Sequence, residues 1–165
     1  MRIQFSVRAA FGVIALLCTG LLAVAYYAQH GPQHQQPCPF CILQRYCFMA
    51  IAMISLLAAL HGAGRVGARI YAALAGIPAL TGLVLASWLL AKGSSMKSCL
   101  EDPVALFVNG LPTAAWWDEM FWATGGCGTE YPPILGLTVP VWACVWFAML
   151  GLFFALAASN KLFKK

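Results

Sequence analysis

Cys38-Pro39-Phe40-Cys41-Ile42-Leu43-Gln44-Arg45 leads into an apolar run that reaches Leu60 without another charge. Two cysteines separated by two residues therefore stand at the mouth of a hydrophobic segment, Ile42–Leu60, long enough to cross roughly 30 Å of hydrocarbon as a helix. Three further segments share that character. Ala9–Ala28 and Ile70–Ala91 contain no charge, and Val139–Ala158 is the fourth. Lipid offers the backbone no hydrogen-bond partner, so each segment is expected to be helical. With 62% hydrophobic and 9% charged residues, a soluble core is excluded in favour of a membrane protein. The predicted fold is an all-α, four-transmembrane-helix bundle forming a single domain over residues 1–165, with spans at about 9–28, 42–60, 70–91 and 139–158.

Charge sets the orientation. Arg2, Arg8, Arg65, Arg69, Lys161, Lys164 and Lys165 fall on one side if every span crosses, and that side is cytoplasmic. The opposite loops, about 29–41 and 92–138, hold Lys92, Lys97 and all the acids: Glu101, Asp102, Asp118, Glu119 and Glu130. The net charge of +5 thus follows from topology, and nucleic-acid binding is not expected. Arg2, Arg8 and Ala23-Val24-Ala25 also suit a cleavable signal peptide. Cleavage would leave a basic C-terminus at odds with the remaining spans, so a retained helix is preferred.

The outer loops carry Cys38 and Cys41 in the first, Cys99 and Cys127 in the second. Two such pairs on one face are suited to passing electrons in sequence as dithiols and disulfides. Pro39 fits the first turn of a helix, and a helix N-terminus favours thiolate over thiol. The alternatives are a static disulfide or half of a metal site, although a closed zinc site needs four ligands. Pairing among the four cysteines stays open, since three connectivities exist. Gly125, Gly126 and Gly128 around Cys127 permit backbone movement. Arg45, one turn after Cys41, is placed to stabilise its thiolate or to donate to a bound acceptor, against the alternative of reaching out to lipid headgroups. Cys18, Cys47 and Cys144 read as packing residues. His30, His34 and His61 lack partners at ligand spacing. Ala114–Thr124 reads as a short interfacial helix with Trp116, Trp117, Met120 and Phe121 on one face, or as aromatics packed on the bundle.

Together these features resemble the DsbB family of bacterial disulfide-generating membrane proteins. The resemblance covers nearly the whole chain: four spans, Cys38-Pro39-Phe40-Cys41 followed by Gln44-Arg45, Cys99 and Cys127 in the second outer loop, and Gly136-Leu137-Thr138-Val139-Pro140 at the start of span four. It implies an inner-membrane thiol:quinone oxidoreductase, with both termini cytoplasmic and both cysteine pairs periplasmic. A DsbA-like thioredoxin-fold partner would attack the Cys99–Cys127 disulfide at Cys99, and Cys127 would exchange with Cys38. Cys41, beside Arg45, would then pass electrons to ubiquinone or menaquinone, without a metal. The chain departs from some family members in having no histidine across Ser87–Ser98, where Trp88, Lys92 and Lys97 stand. Competing readings are a vitamin K epoxide reductase-like enzyme, a DsbI-like enzyme with a dedicated partner, and a non-catalytic membrane assembly or metal-handling protein.

Overall fold

A computed structural model describes residues 7–31, 34–62, 64–92, 103–127 and 136–159. Four long helices are apolar enough to cross a membrane: α1 (Val7–His30), α2 (Pro39–His61), α3 (Arg65–Lys92) and α7 (Val139–Ala158). Three short helices lie between the third and fourth: α4 (Pro103–Asn109), α5 (Pro112–Trp116) and α6 (Asp118–Phe121). The chain is an all-α, four-span membrane protein. The observed helices extend beyond most of the expected spans, and α3 begins at Arg65.

Local chemistry fixes the ends of α2. Cys38 is its N-cap, extended at φ −79° and ψ 162°, and its sulfur accepts the Cys41 N–H at 3.3 Å. Pro39 follows at a position where no amide hydrogen is needed. At the far end Gly62 takes the left-handed conformation (φ 60°) and donates to the Ala58 carbonyl, a backbone geometry that costs a side-chain-bearing residue more.

Packing runs from α1 to α2, α2 to α3 and α3 to α7. The core contains Phe11 and Cys18 from α1, Ile51 from α2, and Phe147 and Phe154 from α7. Small residues give α3 its inward stripe: Ala68, Ala72, Ala75, Ala79, Gly82 and Ala86 are buried. That stripe lets the α7 aromatics approach closely. Phe147 in turn stacks on Phe48 of α2 with ring centroids 4.1 Å apart. Outward positions such as Leu16, Leu60, Val84 and Leu152 are exposed and apolar, as a lipid-facing surface requires.

The Ala114–Thr124 segment is two short helices rather than one. Trp117 breaks it at φ −144° and ψ 76°. Because of that break, Met120 and Phe121 turn inward and are buried, whereas Trp116 is 86% exposed. The four side chains therefore do not share a face. Phe121 stacks on Tyr46 of α2 at 4.9 Å, and the Tyr46 and Thr113 hydroxyls hydrogen-bond. Asn109 anchors the next residues, accepting from the Ala123 amide at 2.8 Å and donating to its carbonyl at 3.2 Å.

A methyl group on Gly82 would lie 2.3 Å from the Phe147 ring. Gly82→Ala should lower stability by about 1–3 kcal/mol through overpacking, read as a lower thermal midpoint of the purified protein in detergent.

Candidate functional site

The head of α2 collects the redox-capable side chains. Cys38 and Cys41 are both free, with sulfurs 2.6 Å apart. The two sulfurs are adjacent, as a disulfide within the pair requires. Cys38 is buried with Phe40 and Leu89, and Cys41, Leu85, Val104 and Cys127 pack against that cluster. Cys127 is disulfide-bonded. The fold thus brings a disulfide-bonded cysteine of the second loop to the cluster that holds the first pair. A cysteine held in a disulfide is not a thiolate ligand, which disfavours a metal site built from both pairs. Cys99 lies outside the described residues. Cys18, Cys47 and Cys144 are free cysteines within the spans.

Cys38 departs from the expectation for a helix N-terminus. Its hydrogen bond to Cys41, followed by burial, pushes its thiol well above the ordinary range. Backbone amide donors act in the opposite direction and are outweighed. The local dipole is therefore not the dominant influence.

Arg45 does not reach out to headgroups. It is 7% exposed, and its Nη1 donates to Gln29 Oε1 at 3.0 Å and to the Met120 carbonyl at 2.7 Å. Gln29 uses its other end to donate to the Glu119 carbonyl at 2.7 Å, and the Tyr26 hydroxyl donates to the Glu119 carboxylate at 2.9 Å. One guanidinium thereby ties α1, α2 and α6 together. Its charge also acts on both Cys38 and Cys41. The sequence reading found Arg45 but missed Gln29, Tyr26 and Glu119, because their spacing along the chain carries no signal.

A second tether holds Cys127 in place. The amides of Thr124 and Gly125 both donate to the Pro37 carbonyl at 3.1 Å. A methyl on Gly125 would lie 2.3 Å from the Gln36 carbonyl oxygen. This glycine therefore serves close approach of two backbone segments, a role distinct from the mobility expected of it. Together the two tethers lay the second loop across the residues that precede α2.

The family model described as "Disulfide bond formation protein DsbB" matches residues 7–157. Three relatives, each named Disulfide bond formation protein B, align over most of their length. The protein from Herminiimonas arsenicoxydans is 44% identical over 149 residues, 90% of this chain and 92% of the relative. That from Ralstonia nicotianae is 38% identical over 159 residues, covering 96% and 98%. The Marinobacter nauticus protein is 38% identical over 152 residues, covering 87% and 88%.

Two outcomes test this geometry. Gly125→Ala, by forcing the loop away from Gln36, should lower the yield of a trapped Cys38–Cys127 disulfide in a Cys41→Ser background by about tenfold, measured by peptide mapping under non-reducing conditions. In the reduced protein, alkylation of Cys38 by iodoacetamide should remain at least about tenfold slower than that of an exposed cysteine at pH 8, because a raised pKa leaves less thiolate at any given pH. Cys41→Ala should speed that reaction by removing the leading cause of the shift.

Proposed function

The chain belongs to the DsbB family of disulfide bond formation proteins, and on that premise we propose that it is a thiol:quinone oxidoreductase reoxidising a DsbA-like dithiol. The observation that carries this reading is the packing of disulfide-bonded Cys127 against the buried cluster that contains Cys38, with Cys41 packed on the same cluster. The basic residues at the opposite end of the spans support an inner-membrane orientation with both cysteine pairs periplasmic and both termini cytoplasmic. Exposed Trp116 suits the headgroup region beside the loop.

The reaction is a relay of thiol–disulfide exchanges. A thiolate of the partner attacks Cys99 of a Cys99–Cys127 disulfide, forms the mixed disulfide and releases Cys127 as thiolate. Cys127 attacks Cys38 of an oxidised Cys38–Cys41 pair and releases Cys41. The second partner thiol resolves the mixed disulfide, so the partner leaves oxidised and Cys99 is freed. Cys99 then attacks Cys127, restores the loop disulfide and leaves Cys38 and Cys41 as a dithiol. Two electrons and two protons have moved from the partner to that pair.

The residues around Cys41 fit a quinone acceptor. Arg45 is buried one turn below the sulfur, and Gln44 beside it is 6% exposed with its amide nitrogen unpartnered. When bound, ubiquinone or menaquinone supplies an acceptor for two electrons and two protons. Cys41 would face that acceptor, Cys38 would complete the dithiol, and Arg45 would hold the loop across the site with its charge one turn from the Cys41 sulfur. The apolar surroundings exclude water from the exchange.

Anaerobic reduction of added ubiquinone or menaquinone by a reduced DsbA-like dithiol is the direct test. Wild type should turn over, and Cys41→Ser should lose turnover by at least about a thousandfold while still forming a mixed disulfide at Cys99, as expected when an essential nucleophile is removed. Wild-type turnover in Cys41→Ser would sink the assignment.

A further inference from the structure

Among the described residues, three buried side-chain polar atoms have no hydrogen-bond partner: Gln44 Nε2, Ser55 Oγ and Arg69 Nε. Buried donors are nearly always satisfied, and an exception calls for a physical reason. Ser55 lies deep in α2 and Arg69 in the first turns of α3, both remote in sequence from the cysteine pair. Gln44 is different, because it is three residues from Cys41.

Helical geometry puts it on the reacting side. At about 100° per residue, Gln44 stands roughly 60° to one side of Cys41 and Arg45 roughly 40° to the other. The two side chains therefore flank the line running down α2 from the sulfur. Gln44 also precedes Phe48 by one turn, and Phe48 stacks on Phe147 of α7. This stripe faces the bundle interior rather than lipid. Arg45 has its Nη1 committed to Gln29 and to Met120. The buried donor without a partner beside Cys41 is the Gln44 amide.

We infer that the Gln44 side-chain amide donates a hydrogen bond to a carbonyl oxygen of the quinone that accepts electrons from Cys41, alongside the charge of Arg45. The assignment rests on the quinone reading above. Burial strengthens such a bond, since the surroundings have low polarity. It also strengthens as negative charge builds on the carbonyl oxygen, so the donor assists electron transfer as well as binding. An aliphatic acceptor lacking carbonyl oxygens would not satisfy this amide.

The test uses the full chain in lipid nanodiscs, freed of quinone and then loaded with ubiquinone carrying carbon-13 at its carbonyls. Infrared difference spectra report the carbonyl stretch, and titration gives Kd. In wild type one carbonyl band should lie below its position for the same quinone in empty nanodiscs. Gln44→Met, close to glutamine in shape, should move that band upward and weaken binding about three- to tenfold, the loss of one net hydrogen bond. Without quinone, the methionine protein should melt at the same or a higher temperature, because an unsatisfied buried donor has been removed.

A purely structural Gln44 predicts the reverse: a lower melting temperature without quinone and an unshifted band, and that result overturns the inference. If the methionine variant does not fold, Gln44→Leu replaces it. A wild-type band identical to that in empty nanodiscs overturns the assignment without any variant. Wild type that binds neither ubiquinone nor menaquinone overturns the quinone reading and this inference together, whereas tight binding with an unshifted band overturns only the role of Gln44.

Discussion

A guanidinium buried at the head of the bundle holds the site together. Taking Arg45 out of water is costly unless its donors are met. Gln29 of α1 and the Met120 carbonyl of α6 both accept from its Nη1. The consequence is mechanical as well as electrostatic. The loop helices cannot lift from the bundle without leaving a buried cation and a buried carbonyl unpaired. The same charge lies one turn below the sulfur of Cys41, so the docking of the loop and the electrostatics of the cysteine pair draw on a single side chain.

The second tether, from Thr124 and Gly125 to the Pro37 carbonyl, converts that docking into a cysteine arrangement. It brings Cys127 against the cluster of Cys38, Phe40 and Leu89. The two thiols of the first pair then differ in character. The hydrogen bond to Cys41, with burial, pushes the Cys38 thiol up, while Cys41 lies one turn from the charge of Arg45.

The four spans were legible because hydrocarbon imposes a length and a composition that few other structures need. The closeness of Cys38, Cys41 and Arg45 was legible for a related reason: a spacing of three or four residues maps directly onto one helical turn. The loop was read less well. A single amphipathic helix over Ala114–Thr124 gave way to two short helices, since the Trp117 backbone turns and the pocket around Ile42 and Tyr46 takes Met120 and Phe121. Gly125 was read as a hinge, although it marks a point where two backbones touch.

Sequence by itself determined the number of spans, their helical character and the closeness of Cys38, Cys41 and Arg45, because each follows from local composition or from spacing within one turn. The family resemblance added what those residues would do. Only the tertiary structure decided that Arg45 points inward to Gln29 and Met120, that Cys127 meets the Cys38 cluster, and that Gln44 keeps a buried donor unpartnered beside Cys41. Those outcomes depend on contacts between segments many residues apart. No local pattern encodes such contacts, since they arise only when the bundle closes and polar groups must find partners out of water.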